Sequence, residues 1–223
     1  MPSVFITGGT GYVGRRLIPM LLKNQYAVTA LVRKQSVHKL PAGCKHIIAD
    51  PFNAASYLQE IPPQSIFIHL LGVSHPGPKK KLLFYSVDLA SVKASAAAAQ
   101  QAGVAHFIYI SVAQYPTKIM ESYQDARAQA ESVIRSTGIK TTFIRPWYIT
   151  GPGHYWPLVF QPVFKLMEYL PVTRQKARAL ALVPLKKMLL ALQDAVDHPP
   201  AGELRIIEID DIKKCKQAVI ILS

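Results

Sequence analysis

The sequence predicts an α/β fold in which a doubly wound parallel sheet carries a small C-terminal helical and mixed lobe. Short β-like runs recur at residues 3–7, 27–33, 46–49, 65–71, 106–112 and 141–144, with helical patterns between most of them. Strands that alternate with helices are joined by crossovers, and crossovers make a sheet parallel. The first run leads directly into Thr7-Gly8-Gly9-Thr10-Gly11-Tyr12-Val13-Gly14, a glycine turn that opens an amphipathic stretch. The chain has 223 residues, 50% of them hydrophobic and 17% charged, which is enough to bury a large core.

The glycine turn sits between strand and helix, and glycines are wanted there for three reasons. They permit unusual backbone angles, let a pyrophosphate approach bare main chain, and let the helix pack tightly on the strand. The helix N-terminus then points free N–H groups and a positive dipole end at phosphate. Gly9, Gly11 and Gly14 give a G-x-G-x-x-G spacing, while Gly8, Gly11 and Gly14 give G-x-x-G-x-x-G in the same stretch. A ligand-free strand–helix turn is the plainer alternative, and the flanking strand and helix favour a dinucleotide.

Arg33 and Lys34 end the second run, about twenty residues beyond the turn, where a basic side chain accepts a 2′-phosphate and an acidic one binds a 2′-hydroxyl. NADP(H) is therefore expected ahead of NAD(H). Residues 82–101 read as a buried crossover helix, Ala-rich around Ala96 to Ala99, with Gly103 as its C-cap. Residues 122–136 read as another, stopped by Gly138. Right-handed crossovers bring the strand C-termini to one edge, where ligands bind. Residues 76–81, with three lysines, read as a loop over that edge.

After Pro146 the rhythm changes to Pro-punctuated helical pieces near 156–170 and 184–196, then a strand-like 204–209. The expected division is a dinucleotide-binding domain at 1–146 and a small substrate or partner lobe at 147–223. Trp156, Phe160 and Phe164 recur at helical spacing, a pattern that more often packs a core than walls a pocket.

Composition excludes several classes. Cys44 and Cys215 are the only cysteines and have no metal-ligand spacing, so no metal site is expected and a cytoplasmic setting is. The Met1-Pro2-Ser3 start lacks a basic leader, and no uninterrupted apolar run approaches ~18 residues, so neither a signal peptide nor a transmembrane segment is expected. The net charge of +13 is uneven: between Glu131 and Asp194 the only acid is Glu168, among many lysines and arginines. That field suits an anionic substrate, an acidic protein partner or an anionic membrane surface, or is a solvated face. Nucleic acid ranks lowest, since no recognition helix, zinc spacing or aromatic RNA-binding motif accompanies the charge.

The first 150 or so residues resemble the short-chain dehydrogenase/reductases, more closely their extended and atypical branches, which include epimerase-like and NmrA-like Rossmann proteins. The resemblance rests on the glycine turn, His69-Leu70-Leu71-Gly72, Ser111, Tyr123 twelve residues later, Arg145-Pro146, and Gly151-Pro152-Gly153. It implies that Ser111 and Tyr123 polarise a substrate carbonyl or alcohol. It also implies that Gly8, Gly11, Tyr12, Val13 and Gly14 hold the cofactor together with Arg33 and Lys34. Asp50 would bind adenine or cap a helix, Leu71 and Gly72 would pass the ribose, and Pro146 with Tyr148 would line the nicotinamide side.

The family places a lysine four residues after the tyrosine, stacked beneath the phenol to favour phenolate. Arg127 stands there instead. It is expected to supply positive potential but not to relay a proton, because arginine does not give one up. The reading is hydride transfer on a small or apolar carbonyl/alcohol substrate. A non-catalytic NAD(P)-binding redox sensor, or an accessory subunit of a larger complex, is the alternative. His154, in a glycine-proline loop, is the one histidine near the expected mouth.

Overall fold

The computed structural model describes residues 1–74, 76–118, 120–155 and 180–216. His75, the predicted 156–170 helix with its aromatic residues Trp156, Phe160 and Phe164, and the apolar 218–222 end therefore lie outside the described residues.

The chain runs β1 (Ser3–Thr7), α1 (Gly14–Lys23), β2 (Ala27–Val32), β3 (Lys45–Ile48) and β4 (Ile66–His69). Next comes α2 (Lys81–Leu83), which passes through a π-helical segment (Phe84–Leu89) into α3 (Ala90–Gln101). β5 (His106–Ile110), α4 (Glu121–Arg135) and β6 (Lys140–Ile144) complete the predicted alternation. β7 (Tyr148–Thr150) and β8 (Leu182–Pro184) pair with each other, and α5 (Leu185–Asp197), β9 (Leu204–Ile207) and α6 (Ile209–Lys214) follow.

The main sheet has seven strands among the described residues, ordered β3-β2-β1-β4-β5-β6-β9, and every pairing is parallel. The order reverses beside β1, and that crevice at the strand C-termini is where ligands bind in such sheets. Period-two alternation divides the core in two. Val4 and Ile6 face α1 and α5 with Leu17, Leu21, Met188 and Leu192. Phe5 faces the other side, where Phe67, Phe107 and Phe143 pack beneath the alanines of α3. Those small side chains let the helix lie close to aromatic residues, of which Phe67 and Phe107 stack with ring centroids 5.0 Å apart.

The strand-like 204–209 is shorter than expected, because Ile209 already opens α6. β9 extends the main sheet beyond β6, so the C-terminal part contributes to the same core as the N-terminal part. Arg145 clamps this join, giving Glu131 of α4 a bidentate pair at 2.9 and 2.5 Å and reaching Glu208 at 2.9 Å.

One helical stretch, Pro78–Gln101, is 24 residues long and apolar enough to cross a membrane by length and composition. Half of its most apolar window is buried inside the protein, which fits a crossover helix of the core.

Candidate functional site

The glycine turn is held by its own packing. Gly8 has φ +74°, and a Cβ there would lie 2.6 Å from Leu70 C and Leu71 N at the end of β4. Gly14 opens α1 so close to the turn that a Cβ would fall 2.5 Å from Gly8 O and 2.7 Å from Gly9 Cα. Around Gly11 a Cβ would meet only Gly8 O, at 3.1 Å, so this face of the turn is otherwise open. The Gly11 N–H donates to that same carbonyl at 2.9 Å. Gly8 and Gly14 are therefore required by the fold whether or not a nucleotide binds, while Gly11 leaves room for one.

Val13 packs against the α1/α5 core. The Tyr12 ring lies 4.2 Å from the His154 ring and under the Arg16 guanidinium, with its buried hydroxyl beside Gly151 and without a hydrogen-bond partner. Both residues thus fasten the turn to its surroundings, and His154 belongs to this contact.

Arg33 and Lys34 are exposed at the end of β2, where Arg33 precedes a 3-10 turn and its carbonyl accepts the Ser36 N–H at 2.8 Å. Asp50, also exposed, uses one carboxylate oxygen to accept the Phe52 N–H at 3.0 Å. It caps its own turn. Leu71 is half-buried and abuts Gly8.

Beyond Leu71 the site changes character. A Cβ on Gly72 would fall 2.7 Å from an Arg127 guanidinium nitrogen and 2.8 Å from Asp88 Oδ1, so only glycine fits there unless these two groups move. Arg127 and Asp88 form an ion pair buried between α4 and the π-helical segment. Arg127 also donates to Ile110 O at 2.7 Å and Tyr109 Oη at 3.0 Å, with its carbon 5.0 Å from the Tyr123 ring centroid. The Asp88 carboxylate accepts the Val73 N–H at 3.1 Å.

Burial pushes the Tyr123 phenol above its ordinary range against the pull of Arg127, and Asp88 adds to the rise. Much of the cation is already committed to Asp88. Burial likewise raises the Asp88 carboxyl, against the guanidinium and the Val73 N–H. Arg127 stays cationic, held there by Tyr109, Tyr123 and Asp88 although burial works against it.

Ser111 follows Ile110, whose carbonyl binds Arg127, so it stands beside this cluster. Its N–H donates to Ile144 O at 2.8 Å, while its buried Oγ has no hydrogen-bond partner. A buried hydroxyl without a partner is costly unless a ligand or water completes it. Pro146 is buried and accepts the Ala113 N–H at 3.1 Å, and Tyr148 starts β7 half-buried near the Tyr12 hydroxyl.

Beneath the cluster, His69 Nδ1 lies 2.9 Å from Thr7 Oγ1 and 3.1 Å from Ser95 Oγ, and its Nε2 lies 3.3 Å from Ser91 Oγ. Burial, with the Arg127 charge, lowers its pKa to about 3, so it is a neutral packing group. A cavity of about 550 Å³ opens along α4 between Gln114, Lys118, Glu121 and Asp125. None of the predicted cofactor residues lines it. Among the described residues no group of three or more His, Cys, Asp or Glu side chains could hold a metal.

Asp88 and Tyr109 were not singled out from the sequence. The available signal was a lone acid in an otherwise apolar crossover helix, since a buried carboxylate needs a partner.

A family model described as NAD(P)H-binding matches residues 8–157. The ceramide reductase of Caulobacter vibrioides (strain NA1000 / CB15N) is 26% identical over 215 residues, 95% of this chain and 65% of that protein. A 3-beta-hydroxysteroid dehydrogenase of Mycolicibacterium neoaurum is 27% identical over 190 residues, 73% of this chain and 51% of that protein. The chain thus spans somewhat less than two thirds of the first relative and about half of the second. The fold is also that of the Thermus thermophilus UDP-glucose 4-epimerase in complex with NAD, with a TM-score of 0.67 at 16% identity over 92% of this chain and 77% of that one.

Proposed function

The chain belongs to the NAD(P)H-binding family, as a Rossmann protein of short-chain dehydrogenase/reductase and epimerase-like type, and on that premise we propose that it is an NADP(H)-dependent oxidoreductase reducing a small, apolar carbonyl compound. The observation that carries this reading is an unbroken line of contact from the glycine turn to Tyr123: Gly8 against Leu71, Gly72 against Arg127 and Asp88, Arg127 beneath the phenol.

The residues present fit the cofactor. Gly11 offers an open main-chain face, Gly8 and Gly14 hold the turn, and Arg33 with Lys34 supplies cations for a 2′-phosphate. Leu71, Gly72, Pro146 and Tyr148 would border the ribose and nicotinamide, and Asp50 the adenine. Bound there, the nicotinamide supplies or accepts hydride.

The other roles belong to this chain's own side chains. The unpartnered Ser111 hydroxyl would donate to the substrate oxygen and fix its place. Tyr123, a phenol and so a proton donor near neutrality, would give its proton to that oxygen. Arg127 would steady the resulting phenolate as a fixed cation while Asp88 and Tyr109 keep it in place. The names of the two relatives, a ceramide reductase and a hydroxysteroid dehydrogenase, lend support to an apolar substrate.

We read 1–146 as the dinucleotide-binding part and 147–223 as the substrate or partner lobe, and the setting as cytoplasmic, where two unpaired cysteines are ordinary. The test is NADPH oxidation against a panel of apolar ketones and aldehydes. Turnover abolished by Tyr123→Phe with NADPH binding intact supports the reading, and cofactor binding without any turnover overturns it.

A second reading, a non-catalytic sensor or an accessory subunit with an acidic protein partner, is favoured by the neutralisation of Arg127 by Asp88. Under it Arg127→Lys creates no activity, and the protein isolates one stable partner.

A further inference from the structure

We propose that residues 79–85 form a docking surface for an anionic lipid bilayer at the rim of the candidate site. The segment has two faces. Its inner face carries Phe84, 5.0 Å from the Tyr123 ring and edge-on to it, and leads into Asp88, which holds Arg127. Its outer face carries Leu82, 83% exposed, with Leu83 at 43% and Tyr85 at 36%. Large apolar side chains this open on a helix with a buried opposite face have no core packing role among the described residues.

The charge around them is one-sided. Lys79 and Lys81 are exposed, and Lys80 donates to Ser74 O at 2.6 Å. Between Glu60 and Asp88 the sequence contains no acid, and Asp88 is turned inward to Arg127. The nearest acids on the neighbouring helix are Asp125, which accepts the Tyr85 hydroxyl at 2.7 Å, and Glu121. Both belong to the Tyr85 end of the segment, so the excess of positive charge lies at its Lys79 end.

Lysines beside exposed leucines are what an anionic bilayer recognises: cations meet the headgroups while apolar side chains enter the acyl boundary. A second copy of this chain fits less well, because each copy carries a net charge of +13. An acidic protein would answer the lysines and leave Leu82 in water. The bilayer answers both, and it would lie against the same segment that carries Phe84 and Asp88 to the site.

Sedimentation with phosphatidylglycerol/phosphatidylcholine vesicles, with pure phosphatidylcholine as control, tests this without any turnover assay. Wild-type protein should sediment with the anionic vesicles. Lys79→Glu with Lys81→Glu should weaken the partition at least tenfold, since each lysine contributes about fivefold. Leu82→Ser with Leu83→Ser should weaken it about tenfold at unchanged charge. Both variants should keep wild-type melting and NADPH binding, which separates failure here from failure of the cofactor reading.

Lack of sedimentation by the wild type, or variants that bind as it does, overturns the proposal. Two further results overturn it in favour of other occupants. Binding to polyglutamate as tight as to vesicles, unaffected by the leucine variant, assigns the patch to an acidic protein. A dimer in sedimentation equilibrium that the leucine variant dissociates assigns it to a second copy.

Discussion

The two halves of the candidate site are made of different material. The nucleotide half is main chain: its shape comes from a left-handed glycine, a bare Gly11 face and a helix start that tolerates no Cβ at Gly14. The other half, for which we propose catalysis, is side chain: a guanidinium and a carboxylate buried between two helices, with two tyrosines around them. Main chain of this kind is legible in the local glycine spacing and carries no titrating group. The buried pair is fixed only when distant segments meet, and each member is costly without the other. Damage at the open Gly11 face should therefore be felt mainly in nucleotide binding, whereas damage to the buried pair, as to Gly8 or Gly14, should be felt mainly in folding.

The largest effect should come from dividing the pair. Asp88→Ala leaves Arg127 buried and unpaired, and should cost about 3–5 kcal/mol in urea unfolding. Asp88→Leu combined with Arg127→Met should recover most of that loss. A double variant no more stable than Asp88→Ala would show that the helices do not depend on charge balance.

Next comes Gly72→Ala, at the seam between the halves. Its methyl would enter the space of Arg127 and Asp88, at an expected cost of about 1–3 kcal/mol. Gly11→Ala, where a Cβ meets only one carbonyl, should cost stability much less and weaken NADPH more. If the two variants lost binding and stability in the same proportion, the contrast between the halves would fail.

Arg127→Lys should be milder, about 1–2 kcal/mol, because one ammonium cannot span Asp88, Tyr109 and the Ile110 carbonyl as the guanidinium fork does. A variant as stable as wild type would mean that the fork geometry is dispensable.

The smallest effect is that of the first pH unit below the ordinary histidine value, and it grows as the buffer becomes more acidic. Native His69 stays neutral down to about pH 3, whereas in the unfolded chain it titrates near its ordinary value of 6.5. Its contribution is thus fully present above pH 6.5 and is lost as pH falls toward 3, at about 1.4 kcal/mol per pH unit. His106, lowered to about 4 by burial and by Arg205 and Lys140, adds a similar slope over a narrower range. Urea midpoints compared between neutral and mildly acidic buffer should fall, and His69→Asn should flatten that fall.

The same contrast explains what could be read from the sequence. Six strand positions and the glycine turn follow from apolar runs and glycine spacing, and β1 to β6 lie within a residue or two of them. β7 and β8 escaped notice because each is three residues long and one ends in Pro184. Nothing local announces the π-helical turn that swings Asp88 inward. The Asp88–Arg127 pair spans 39 residues, so Arg127 could be seen as a departure from the family pattern without its counter-charge being seen. The exposed Leu82 was hidden likewise, since residues 82–101 read as buried crossover helix while the structure leaves that end open.

Fluorescence titration with NADPH and NADH, repeated on Arg33→Ala, decides whether the glycine turn and Arg33 hold a phosphorylated dinucleotide. NADPH should bind more tightly than NADH, and the variant should lose about tenfold or more for NADPH with little change for NADH. Failure of the folded protein to bind either nucleotide would contradict this and leave the glycine turn as scaffold alone.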